Sequence, residues 1–315
     1  MTRKPPSEAE VKRYFKTLSN WGRWGKRDEA GTLNLITRAK RKQAASLIRE
    51  GVAIPCSRLI TTELGPDVPQ QSVHFMGQSG EHWAGKKTQP HEMQSSRDFI
   101  GMAFHGSAIT HLDSLGHVFW DGVMYNGFSA ALVTAKEGAT VESVDVAKEG
   151  IVSRGVLLDL PRLRKVKWLE RGDALYPEDL QEAERAEAVR VEQGDILLVR
   201  TGNQRDRNER GPWESSVHGR AGLSVACAPY LRERDVAVLG TDAVADVLPS
   251  GYASMRAPLH GVAIAGMGLW LIDNLDMEAL SAACARRKRW EFFFTVQPLR
   301  IQYGTGSPVN PVAVL

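Results

Sequence analysis

The sequence predicts a single α/β domain with a long N-terminal arm. Three observations carry this. Short apolar runs alternate with charged, amphipathic stretches through the second half. No linker, internal repeat or low-complexity tract interrupts them. The 315 residues, 43% of them hydrophobic, suffice for one large buried core.

In chain order, the first 20 residues read as an amphipathic lead-in. The Gly- and Trp-rich run NWGRWGKRDEAGTLNLIT (20–37) is either a surface arm pinned by its tryptophans or a lid over a pocket. Thr37 caps a helix with Ala44, Leu47 and Ile48 on one face and Gly51 closing it. IPCSRLITTEL (54–64) reads as a strand. Residues 65–98 are a long loop or irregular hairpin whose His74, His82 and His91 are either solvated or substrate contacts. The second half then gives a strand at VLLDL (156–160), a helix from Pro177 through residue 191 and a strand at DILLVRTG (195–202). Ser224 opens a helix through ACAPYLRER (226–234), and VAVLGTD (236–242) is a buried strand. The helix DMEALSAACARR (276–287) and the strand WEFFFTVQPLRI (290–301) finish the fold. Residues 1–60 are assigned to the arm and its helix, packed on a domain of residues 61–315.

Charge and cysteines narrow the function. Forty basic and 37 acidic residues give a net charge of +3 spread along the chain, which does not mark a nucleic-acid binder. Cys56, Cys227 and Cys284 lie far apart and form no CxxC pair, so neither a thiolate zinc knuckle nor a disulfide framework is indicated, and a cytoplasmic location is expected. No signal-peptide core or spanning segment is present, so no membrane role is expected. GxSxG is absent, and GTGSP and GMG do not complete a dinucleotide-binding GxGxxG.

The chemistry concentrates in HGSAITHLDSLGH, residues 105–117, which holds three of the chain's eight histidines. If THLDS is extended, His111 and Asp113 point to one side, close enough to share a cation. A turn at Gly116 returns His117 to the same place. Imidazole with carboxylate suits zinc or manganese in an open catalytic site, but the HxD pattern alone fits buried structural histidines equally. Phe104, Phe119, Trp120 and Tyr125 flank the cluster and either face a ring-bearing substrate or belong to the core. Asp242 is either a cavity group at a strand end or a local cap, and His218 with Arg220 forms a loop pair that can meet an anion.

This run, with GLSVACAPYLRERDVAVLGTDAVAD and HGVAIAGMGLWLIDNL downstream, resembles the cyclase-like metal-dependent hydrolase family that includes bacterial kynurenine formamidase and isatin hydrolase. Its signature HxGTHxDxxxH is followed in the same order by a GLS helix, a GxD strand end and an acid before an NL pair. The segment WGKRDEAGTLN also resembles longer members. The resemblance implies a single-domain swivelling β/β/α fold with a mixed, partly barrel-like sheet flanked by helices. It also implies metal-activated water opening a cyclic amide, imide or lactone, or cleaving an N-acyl or N-formyl aryl amine. By this resemblance His111 and Asp113 are metal ligands, and His117 moves protons with His260 assisting. The family's first ligand histidine is replaced by Ser107, a poor ligand, so that place falls to Ser107 itself, to His105 bending at Gly106, or to water. Asp273 stands where members more often carry glutamate, and it orients His260 or the nucleophilic water. A small-molecule substrate and a homo-oligomer, dimer or tetramer, are likewise implied. The alternative is a non-catalytic metal- or small-molecule-binding member that lost a ligand at position 107.

Overall fold

The computed structural model describes residues 4–68, 70–86 and 91–315. Nine strands pair into one curled, half-barrel sheet: β1 (Ala53–Pro55), β2 (His111–Asp113), β3 (Ile151–Asp159), β4 (Ile196–Arg200), β5 (Val238–Thr241), β6 (Trp270–Asp273), β7 (Glu291–Val296), β8 (Gly306–Pro308) and β9 (Val312–Val314). Their order is β1-β9-β7-β3-β4-β5-β6-β2-β8. The four strands β3 to β6 run parallel at its centre, and the flanking pairs are antiparallel. Central strands covered on both faces need side chains apolar in nearly every position, and β4, β5 and β6 are buried throughout. β7 alternates instead, with Phe292 and Phe294 inward.

Helices cover the sheet. Ser7 and Glu10 form a capping box that starts α1 (Glu8–Thr17), and the Thr37 side chain accepts from the Lys40 N–H to start α2 (Arg38–Ala45) as expected. α3 (Pro177–Ala186) opens on its proline but ends earlier than the charged run suggests, with Ala188 in the left-handed region. Behind β4 lies α4 (Asn203–Arg210). Ser224 caps a 3₁₀ turn, Val225–Cys227, that leads into α5 (Ala228–Glu233). A π-helix, Gly261–Gly266, precedes β6, and α6 (Glu278–Arg287) follows it.

The strand expected over 54–64 stops at Pro55. Its partner β9 offers only three residues, so the ladder ends there and Leu59 and Leu64 lie exposed. Residues 65–98 do contain a hairpin strand, Val73–Gln78, paired with Arg97–Gly101.

The arm packs on the π-helix and stays out of the large cavity's wall: the Trp21 indole N–H donates to Ala265 O and Phe15 stacks on Trp120 at 3.9 Å. Gly31, at φ 55°, sits so close to Gly268 O that a Cβ would approach it to 2.2 Å. Below the arm, Glu142 is fully buried with both carboxylate oxygens unpartnered, and its backbone N–H donates to Glu29 Oε2. Burial, with the nearby charges of Glu29 and Asp28, pushes the Glu142 carboxyl up to about 9. The folded chain therefore keeps this acid protonated where the unfolded chain ionises it. Stability accordingly falls as pH rises from the ordinary glutamate value towards about 9. Glu142→Gln should abolish that decline, giving on the order of 2 kcal/mol at pH 9 and little at pH 4. Denaturant melts at the two pH values check it, and parallel wild-type and variant curves would contradict it.

Candidate functional site

Sheet register builds the site. β2 and β6 are antiparallel with His111 opposite Asp273 and Asp113 opposite Leu271. Directly opposed residues share a face, so His111, Asp113 and Asp273 all project to one side. The His111 Nδ1–H donates to Ile109 O at 2.8 Å, since a carbonyl only accepts, which turns Nε2 towards Asp113 Oδ1, 3.4 Å away.

The remaining histidines come from turns. Residues 104–110 are not a strand, and the chain swings at Gly106 with φ 138°. This brings His105 Nδ1 to 3.0 Å from Asp113 Oδ1, while His105 Nε2 meets Thr305 Oγ1 at 3.2 Å. The Ser107 carbonyl accepts from Arg58 at 2.8 Å. A 3₁₀ turn, Leu115–His117, carries His117 onto the face of His105, rings parallel at 3.9 Å, with its Nε2 3.9 Å from Asp113 Oδ1. His260, just before the π-helix, sets Nδ1 2.5 Å from Asp246 Oδ2 and Nε2 3.3 Å from Asp273 Oδ2.

These groups differ electrostatically. Burial alone would raise the Asp113 carboxyl, but the imidazoles of His111, His117, His105 and His260 outweigh it and hold it well below the usual range. For His117, burial lowers the pKa against the pull of Asp113, so the ring is a neutral proton acceptor near pH 7. Burial also disfavours charge on His260, but Asp273 and Asp246 prevail and hold it well above the ordinary value.

His105 Nδ1 and Asp113 Oδ1 face each other at 3.0 Å without good hydrogen-bond geometry and have no other hydrogen-bond partner, and Asp273 Oδ1 is buried with none. Poorly paired buried polar atoms are costly, and three of them converging is what a bound cation would relieve. Two sets, His105 with His111 and Asp113, and Asp113 with His260 and Asp273, each place donor atoms within 4.8 Å of one another.

Beside the cluster opens a cavity of about 580 Å³, its wall shared by His105, Phe104, Ile109 and Leu59 with Arg58 and Gln204. Other flagged residues lie elsewhere. His74 pairs with Asp98 on the hairpin, His82 bonds Ser79 in its own turn, and His91 and His218 are exposed. Tyr125 is core and Phe119 is exposed. The Asp242 carboxylate accepts from the N–H groups of Thr201, Gly202 and Asn203, anchoring the start of α4. Sequence reasoning missed Asp246, which accepts from the Leu259 and His260 N–H groups and orients the His260 ring. Its one signal was its place just beyond a buried strand end.

Residues 45–245 match the profile of the Cyclase family ("Putative cyclase"). A crystal structure described as a novel cyclase is 29% identical over 96% of this chain and 99% of its own, with a TM-score of 0.87. Isatin hydrolase A from Labrenzia aggregata, bound to benzyl benzoate, is 20% identical over 86% of this chain and 94% of its own, with a TM-score of 0.58. A "predicted metal-dependent hydrolase" from Bacillus stearothermophilus is 16% identical over 83% of this chain and 97% of its own, with a TM-score of 0.51. Among curated proteins, none matches. With the family profile spanning well over half of its length, this chain belongs to the Cyclase family.

Proposed function

We propose that the chain is a metal-dependent hydrolase that opens a cyclic amide, imide or lactone, or cleaves an N-acyl or N-formyl aryl amine. The observation that carries this is the convergence of ligand-type atoms in two sets that share Asp113, one with His105 and His111 and one with His260 and Asp273, beside a cavity of substrate size. His105, His111 and Asp113 would hold a divalent ion, zinc or manganese. When bound, such an ion polarises a carbonyl and makes water nucleophilic near neutral pH.

The chain's own residues supply the rest. His117, neutral and with 31% of its side chain exposed, accepts a proton at the buried cluster and exchanges it with solvent. His260, clamped between Asp246 and Asp273, fixes the Asp273 carboxylate and assists by charge. Phe104, Leu59 and Ile109 give a ring-bearing substrate an apolar wall.

We further infer a homo-oligomer, dimer or tetramer, supported by the apolar hairpin that leaves Phe75, Met76, Phe99 and Ile100 exposed. A cytoplasmic protein is favoured by three free, buried cysteines. Among the described residues no helix is long and apolar enough to cross a membrane. Purified protein supplied with zinc or manganese should hydrolyse members of a panel of lactones, imides and formanilides, lose this activity to a chelator and regain it with metal. Stoichiometric metal with no turnover across the panel would instead favour the binding-protein reading that Ser107 raises.

A further inference from the structure

Two buried guanidinium groups stand out by what they lack. Arg154 and Arg200, also buried, are paired with carboxylates, Arg154 with Asp195, Glu192 and Glu291 and Arg200 with Asp159 and Glu278. Arg58 is 9% exposed and spends its Nη atoms on the carbonyls of Ser107 and Asp242, while its Nε is buried with no partner. Arg220 is 7% exposed and donates to Asp246 O and Ser215 Oγ. Neither has a carboxylate partner among the described residues. The carboxylates nearby are committed elsewhere: Asp67 to Arg207, Asp242 to the start of α4, Asp246 to His260.

Both arginines line one small recess of about 20 Å³, together with Ser107, Asn203, Ser215 and Asn274. That is room for one oxygen-sized group, between these polar residues and the apolar Trp213, Ala243 and Val244, with the Asp67–Arg207 ion pair also in the wall. Arg58 and Ser107 also line the large cavity, whose wall includes His105. The charges of Asp242, Asp67 and Asp276 act on Arg58 and those of Asp246 and Asp273 on Arg220, but neither guanidinium is directly ion-paired, and a ligand carboxylate would supply that pair. Burial pushes the Arg58 guanidinium down to about 10, which still leaves it cationic at neutral pH.

We infer that this recess is a carboxylate-binding subsite: the substrate is an anion whose carboxylate lies against Arg58 and Arg220 while its scissile carbonyl lies near His105. This rests on the hydrolase reading and deepens it by naming the substrate class. A carboxylate beside these two charges should bind better than a neutral analogue of the same shape, which leaves the charge unmatched.

The test compares benzoate with its neutral isostere benzamide by calorimetric titration of the wild-type, metal-loaded protein, repeated after chelator treatment. Benzoate should bind about 10- to 100-fold more tightly in both forms, the range a charge-assisted hydrogen bond supplies. Arg58→Gln and Arg220→Gln should each erase that preference. Equal binding of the two probes by wild type overturns the proposal, as does a preference that vanishes with the metal, which would place the carboxylate on the ion. A preference kept in folded forms of both variants also overturns it. The wild-type comparison stands even if a variant fails to fold. Benzoate preference without hydrolysis across the panel keeps the subsite and sinks the hydrolase, whereas hydrolysis with no preference sinks the subsite alone.

Discussion

Replacing His117 with alanine should leave metal content unchanged and lower turnover by about 10²- to 10⁴-fold, the contribution of a positioned general acid or base. The expectation follows from where the ring sits. It stacks on His105, outside the cavity wall, with its Nε2 near Asp113 and its outer part open to solvent. Burial and its histidine neighbours keep it neutral, which is the state a proton acceptor needs. A structural role would predict a different outcome: lost packing against His105, a lower melting temperature and metal loss in parallel. Steady-state kinetics together with metal analysis of the same preparation separate the two. Turnover equal to wild type would assign proton movement to another group.

Much of the fold was legible because central strands of a covered parallel sheet must be apolar at almost every position. VLLDL, DILLVRTG and VAVLGTD fall within or across β3, β4 and β5 for that reason. What the residues themselves do not encode is the length of a partner. IPCSRLITTEL has strand composition, yet only Ala53–Pro55 pairs, since β9 ends there. The freed segment becomes cavity wall, which is why Arg58 was hidden inside an expected strand.

The site divides in the same way. His111 and Asp113 share a face because a strand repeats every two residues, a rule that needs only local sequence. His105 reaches Asp113 by a bend at Gly106, a turn that strand periodicity does not supply. Asp246 and Thr305 come from segments 14 and 200 residues away from their histidine partners, a proximity that only the assembled sheet creates.

The second large effect concerns His111. Its Nδ1–H is fixed on the Ile109 carbonyl, so Nε2 is held pre-oriented towards Asp113, and no other donor can take that position from β2. His111→Ala should therefore lose bound metal by about 10-fold or more in affinity, with hydrolysis falling in step. The most direct measurement is an anomalous-difference map of crystals grown with zinc or manganese, for wild type and this variant. The account predicts a strong peak among His105, His111 and Asp113 in the wild type and a clearly diminished one in the variant. A wild-type map without a peak there, or an undiminished peak in the variant, would contradict it.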